Sequence, residues 1–194
     1  EIYPGFAGAQ IVWDEDANGN KRGIRGIVTN DIGLNKEGQP KDNYEPGMEF
    51  RAPITLFAEG AHGSLSLKIM KELKLREEVG ADPQTYGIGI KEVWRVKPEN
   101  HEAGLVAHTM GHPLSTDTYG GSFMYHMDDN MVSLGLVVGL DYSNPYLSPY
   151  QEFQRMKHHP LFANVLKGGS CLAYGARVIN EGGYQAIPKL HFPG

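Results

Sequence analysis

The stretch ITLFAEGAHGSL, residues 54–65, holds the residues best spaced for ligand chemistry. A hydrophobic strand runs into Ala58-Glu59-Gly60, Gly63 follows, and a helix begins at Ser64. A strand, a tight glycine turn and a helix N-terminus bring free backbone N–H groups and the positive helix end together, which suits a diphosphate or a ring of hydroxyls. Glu59, an acceptor only when ionised, can take hydrogen bonds from ribose-like hydroxyls. The plainer reading is an ordinary strand-to-helix turn with a surface carboxylate.

Other residue types that do chemistry are set less well. His108 and His112 in HTMGH are four apart, but the stretch reads as strand, where such positions share a face yet lie too far apart for one ion. It also lacks the glutamate of the HExxH pattern, so no metal site is expected. His158-His159 before Pro160 reads as a helix end where imidazolium complements the dipole. Cys171, the single cysteine, is expected as a small buried hydrophobe, and it excludes both an internal disulfide and a cluster held by this chain's own thiolates. Tyr142, Tyr146 and Tyr150 either line an aromatic pocket or pack a corner. In NEGGYQAIP, Asn180 precedes Gly182 and Gly183, a loop where a backbone can approach a flat ligand or simply turn. In DTYGGSFMYHM, residues 117–127, Gly120 and Gly121 interrupt a strand pattern, with Tyr119 before them and Phe123, Tyr125 and Met127 alternating after. Glycine weakens a strand interior, so this pair requires a reason.

The elements that must position these residues follow from periodicity. GAQIVWDE and GIRGIVTND flank Asn18-Gly19, a hairpin turn signal. A polar loop is expected from Asn35 to Pro46, then a strand centred on Ile54–Phe57 that is apolar enough to be buried on both faces. Apolar residues at helical spacing predict a helix from Ser64 to about Glu78. TYGIGIKEVWRV, GLVAHTMGH, GGSFMYHM and MVSLGLVVGL predict an antiparallel meander with one face free to floor a cavity. Ser148-Pro149 opens a helix to about His158, and a shorter one, Leu161–Leu166, ends at Gly168-Gly169.

The 194 residues, 40% hydrophobic, support one sizeable core or a domain plus part of another. The formal net charge of −5 and the lack of a basic stripe argue against a nucleic-acid partner. The longest nearly apolar run, Val132–Leu140, is far short of the roughly 20 residues of a spanning helix. The chain opens on Glu1-Ile2-Tyr3-Pro4 and closes on HFPG, and the expectation is a piece of something longer or a processed product.

Taken together, TYGGSFMYHM, LGLVVGLDYSNPYLSPYQEFQRMKHHP, AYGARVINEGGYQAIPKLHFPG and LFAEGAHGSL resemble the electron transfer flavoprotein–ubiquinone oxidoreductase family, over essentially the whole chain. The resemblance implies an enzyme at a membrane surface, the mitochondrial inner membrane on its matrix side or a bacterial membrane, that carries FAD and a [4Fe–4S] cluster. It would take electrons from electron transfer flavoprotein and pass them to ubiquinone. The chain lacks the GxGxxG fingerprint and the cysteine-rich cluster domain, so it matches the central section, with cluster ligands elsewhere. The implied fold is α+β, an antiparallel or mixed β-sheet quinone domain interleaved with part of a Rossmann-like FAD domain. Approximate bounds are 1–84 for the FAD part, 85–170 for the ubiquinone sheet and 171–194 for a return toward the FAD domain. By matching, Tyr119, Gly120 and Gly121 lie at the quinone head group, where a flat ring needs close backbone approach and N–H donors. Glu59 and Gly60 fall at the second FAD motif, and Asn180, Gly182 and Gly183 near the isoalloxazine. The chemistry would be electron transfer, with no catalytic nucleophile or base in this section. The alternatives are a related FAD-dependent reductase or hydroxylase of another apolar substrate, and a non-catalytic structural fragment.

Overall fold

The computed structural model describes residues 1–191, so the last three residues of the HFPG end lie outside the described residues. The chain forms two compact units, residues 1–82 with the chain from 187 onward, and residues 83–186.

In the first unit, β1 (Gly8–Glu15) and β2 (Lys21–Thr29) form the expected antiparallel hairpin, and the short β5 (Glu49–Arg51) pairs on the other side of β2. The hairpin turn is held by Asp16, whose carboxylate accepts from the backbone N–H of Asn18 and Asn20, and Gly19 takes φ +80°. The polar stretch expected as a loop instead holds a second small hairpin, β3 (Ile32–Leu34) with β4 (Pro40–Glu45). Its turn is built the same way, by the Asn35 side chain accepting from Glu37 N and Gln39 N.

Two expectations fail in this unit. Residues 54–57 are not a strand, and Ile54 and Leu56 are 77% and 88% exposed. An apolar strand forms only where another strand supplies its hydrogen bonds, and β5 stops at Arg51 before Pro53, which has no N–H to donate. The helix α1 (Ser64–Glu72) is also shorter than expected. It closes in a Schellman arrangement, with Leu75 N donating to Met70 O and Lys74 N to Lys71 O, around Lys74 at φ +49°. The chain then makes a 3₁₀ turn at Glu77–Val79.

The second unit is built on a five-stranded sheet in the order β10-β6-β9-β8-β7, with every pairing antiparallel. The strands are β6 (Thr85–Arg95), β7 (Val106–Met110), β8 (Gly120–His126), β9 (Met131–Gly139) and β10 (Ser170–Glu181). The predicted meander is β7-β8-β9, and β6 and β10 extend it on the far side of β9. Asp129 and Asn130, at φ +57° and +55°, turn the chain from β8 into β9. Because β10 pairs with β6 from Ser170 to Glu181, residues 171–186 lie in this unit, and the boundary expected at 170 moves to 186.

Helices α2 (Pro149–Lys157) and α3 (Pro160–Leu166) cover one face of the sheet. Ser148 caps α2 as predicted, its Oγ accepting from Gln151 N. His158 is the C-cap of α2, and His159 is the N-cap of α3. The His159 Nδ1 accepts from Leu161 N at the start of α3. Val132, Leu134, Leu136 and Val138 are fully buried against Phe153, Met156, Phe162 and Leu166. Each such side chain contributes about 1.5–3 kcal/mol of hydrophobic stabilisation. Cys171, expected in the core, is exposed, because β10 is the edge strand and the helices do not cover it.

One ion pair ties α2 to the sheet. Glu92, 8% exposed, takes both Lys157 Nζ contacts at 2.9 Å and the Trp94 indole N–H at 2.6 Å. The ammonium also lies 4.9 Å from the Phe153 ring centroid and 5.5 Å from that of Trp94. Removing one partner of such a pair strands a charge in apolar surroundings. Glu92→Ala should therefore cost the second unit about 3–5 kcal/mol, whereas Glu92→Leu combined with Lys157→Met should cost far less. Urea unfolding midpoints compare the two, and equal losses would contradict this account of the pair.

Candidate functional site

Alternation along β9 sends Val132, Leu134, Leu136 and Val138 to the helices and turns Ser133, Gly135, Val137 and Gly139 to the opposite face. Cross-strand register extends that second face into rows. One row reads Met110, Gly121, Val137, Gly89, Arg177 across all five strands. The next reads His108, Phe123, Gly135, Lys91, Gly175. No described helix of this unit covers these rows, and they carry a cavity of about 750 Å³ lined by Val93, Phe123, Val137, Ala173 and Ile179, with Lys91 and Arg177 among them. An open, mostly apolar, shallow face of this size suits a flat ligand.

Aromatic rings wall this face. Phe123 stacks on Tyr125 at 4.9 Å, and the Tyr125 hydroxyl lies 3.1 Å from His108 Nε2. Phe123 lies over Gly135, where a Cβ would stand 2.5 Å from the ring. His112, by contrast, sits 5.5 Å from the His159 ring, away from His108. Among the described residues no three His, Cys, Asp or Glu side chains are grouped as for a metal ion.

The glycine pair has its explanation inside the sheet. A Cβ on Gly121 would overlap the Thr109 carbonyl oxygen, and one on Gly120 would overlap that of Val137 and stand 2.6 Å from Leu114 Cδ1. Strand β8 lies between β7 and β9, so these glycines let three backbones approach. Tyr119 is 61% exposed, and its carbonyl accepts from Gly139 N at 2.8 Å. Register places Gly121 at the same end of the sheet as Asn180, which pairs with Tyr86 one residue before β10 ends. Gly182 and Gly183 follow at φ +120° and +69°, in a turn against Thr85 and Ala186. The tyrosines of residues 142–150 form no pocket: Tyr142 packs on the core, and Tyr146 and Tyr150 point outward.

Glu59 and Gly60 lie in the first unit. The Glu59 carboxylate caps α1, accepting from Ser66 N and Ser66 Oγ at 2.6 Å and from Leu65 N at 3.3 Å. It lies against Gly63, where any side chain would displace it. Partial burial pushes this carboxyl up, but the bonds from Ser66 and Leu65 together outweigh burial and hold it below the usual range. The helix end expected to receive a diphosphate is thus already filled by the chain's own anion.

Sequence reasoning missed Lys91, Arg177, Val137 and Gly175 as parts of one face. Each is visible as an alternating strand position, but which strands adjoin is not written locally.

Residues 86–179 match the family model described as ETF-QO, ubiquinone-binding. These residues are the whole of the sheet except its extreme ends, so the match falls on the sheet of the second unit. The entire chain is 60% identical to the probable electron transfer flavoprotein-ubiquinone oxidoreductase, mitochondrial, of Schizosaccharomyces pombe. It is 55% identical to the electron transfer flavoprotein-ubiquinone oxidoreductase of Dictyostelium discoideum and 52% to that of Homo sapiens. The chain belongs to this oxidoreductase family and spans about 30% of the length of these curated relatives.

Two outcomes follow from the local geometry. Gly121→Ala should destabilise the second unit by more than about 1 kcal/mol, because the strand must move off Thr109. Thermal unfolding reads this, and an unchanged melting temperature would contradict the crowding. Glu59→Gln should cost about 0.3–1 kcal/mol at neutral pH through lost charge at the helix end. A carboxyl held below its unfolded value stabilises above that value and loses its contribution as pH falls through the folded one. The gap between wild type and Glu59→Gln should therefore close on acidification below about pH 4, and a gap independent of pH would remove the charge from the explanation.

Proposed function

We propose that the chain is the quinone-binding section, with part of the flavin-binding section, of an enzyme that passes electrons from electron transfer flavoprotein to ubiquinone. The observation that carries this reading is the open, apolar, glycine-interrupted sheet face lying within the residues of the ubiquinone-binding model. On this reading the quinone ring lies at the Tyr119, Gly120, Gly121 end of the face, beside Met110 and Phe123. On this reading the glycines draw β7, β8 and β9 close together, since a Cβ on either would overlap a neighbouring backbone oxygen.

FAD is the cofactor the reading implies, and the residues present fit it in part. Gly182 and Gly183 form a positive-φ turn after Asn180 that admits close approach of a flat ring edge. Glu59, beside Gly60, retains acceptor capacity for a ribose hydroxyl at Oε1, whose bond to Leu65 N is the long one. The α1 N-terminus does not fit a diphosphate, because Leu65 N and Ser66 N are taken by Glu59. When bound, the flavin would supply the redox chemistry, and this chain's residues would orient the quinone and exclude water. A [4Fe–4S] cluster has no ligand set here, with Cys171 the single cysteine, so its ligands belong to other parts of the enzyme. The names of the relatives support a mitochondrial setting, and the matrix side of the inner membrane and the Rossmann-like interleaving of the FAD domain belong to the same proposal. No described helix is long and apolar enough to cross a membrane.

Met110 tests the quinone end. It is exposed, faces the open side opposite Gly121 and packs no core. In the full-length protein, Met110→Asp should raise the Michaelis constant for ubiquinone about tenfold, through the cost of bringing an apolar ring against a charge. Reduction of the flavin by its electron donor should be unchanged. A normal ubiquinone constant in a folded Met110→Asp protein would move the quinone off this end of the sheet.

A further inference from the structure

We propose that His126 and His101 form a proton-operated latch, which fastens residues 101–105 to the end of β8 while His126 is neutral and lets that segment go on acidification. The inference starts from a buried polar ring on the closed side of the sheet. His126 is 5% exposed and shares a face of β8 with Ser122 and Met124, the side that packs on the core. Its Nδ1 accepts from the backbone N–H of Glu102 at 3.0 Å. A backbone N–H only donates, so Nδ1 holds a lone pair and the ring proton sits on Nε2. Nε2 is buried and has no hydrogen-bond partner among the described residues. Three further bonds hold the same segment. Gly104 N donates to His126 O and His126 N to Leu105 O, both at 2.9 Å, and His101 Nε2 donates to Met127 O at 2.8 Å. The His101 ring then lies 5.2 Å from that of His126. Of the four bonds, only the one to Nδ1 is abolished by adding a proton to His126. The added proton takes the lone pair and sets N–H against N–H. It also leaves a charged ring whose Nε2–H has no acceptor. Burying such a cation costs more than parting the segment from β8 and admitting water.

The surroundings offer that cation little. On one side His126 pairs with Val132 of β9, and on the other it meets the backbone of Gly104 and Leu105. The charged groups that act on it are His101 and Glu102, both in the latched segment. Burial holds the imidazole below its ordinary value, His101 lowers it further, and Glu102 works the other way. Asp128 and Asp129 in the turn beyond β8 are exposed, as are Glu99 and Lys167, where the 3₁₀ turn Pro98–Asn100 meets the end of α3. Water screens these four. A group held below its unfolded value stabilises the fold above that value, about 6.5 for histidine, and loses its contribution as pH falls through the lower folded one. The segment leads directly into β7, an edge strand of the sheet. Release therefore frees the entry to β7, while Val106–Met110 keep their pairing with β8. The latch stands independently of what the open face binds.

The experiment is amide hydrogen exchange on the full-length protein from about pH 8 to about pH 4.5, a range that spans the histidine titration, with each rate scaled to its intrinsic value at that pH. Amides of residues 102–106 should lose about tenfold in protection across this range, as expected for one lost buried hydrogen bond, while those of β9 keep theirs. Two variants separate the parts of the latch. His126→Asn puts an acceptor that does not titrate near the Nδ1 position, so protection of its segment should be the same at every pH. His101→Gln keeps a donor for Met127 O and removes the ring charge, so the loss should begin at higher pH than in the wild type. Wild-type protection of residues 102–106 that does not change with pH overturns the latch. A His126→Asn protein that follows the wild-type curve overturns it too. Loss of β9 protection in step with the segment does the same, because the event is then unfolding of the whole unit. An unmoved onset in His101→Gln overturns the pairing of the two rings. Where His126→Asn fails to fold, the wild-type curve and His101→Gln decide.

Discussion

The comb of β9 side chains locked against α2 and α3 is the contact on which the rest of the second unit depends. Val132, Leu134, Leu136 and Val138 have no exposed surface, and this fixes β9 in register and in facing. A slip of one residue would bring Ser133, Gly135 and Val137 into the core and put four large aliphatic groups in water. Once β9 is fixed, β6 and β8 are fixed on its two sides, and β10 and β7 on theirs. The Glu92–Lys157 pair completes the lock by holding the end of α2 over Trp94. The open face is therefore a by-product of the closed one. Its shape comes from whatever residues alternate with the core, here glycines, Val137 and Phe123.

Glycine serves several purposes in this molecule, and geometry separates them. In turns such as Gly19 and Gly183 it allows a positive φ. At Gly120, Gly121 and Gly135 it removes a collision with a backbone oxygen or a ring. At Gly63 it makes room for the Glu59 carboxylate that caps α1. At Gly89 and Gly175 none of these reasons applies. Gly120 and Gly121 shape the sheet by letting β7, β8 and β9 approach one another.

The Glu59 turn teaches a related lesson about anion sites at helix ends. The spacing predicted free N–H groups at the start of α1, beside Glu59. It did not reveal that the carboxylate itself occupies them. A helix N-terminus satisfied by its own chain has little left to offer a phosphate, while the carboxylate's outer lone pairs are still open to hydroxyl donors.

What the sequence by itself determined is the part governed by near neighbours. The β1–β2 hairpin at Asn18-Gly19, the Ser148 cap of α2, the stop at Gly168 and the strands β6 to β9 all follow from residues a few positions apart. The long motifs also carried family membership, because they preserve many residues jointly. Tertiary structure alone decided what depends on distant partners. Residues 54–57 have strand composition but no described strand beside them, and Cys171 is exposed because β10 became an edge. The rows that join Gly121 to Arg177 and Phe123 to Lys91 exist only once cross-strand register is set. The physical reason is that side-chain alternation is local to one strand, while which strands adjoin, and in what register, is chosen by burial summed over the whole unit.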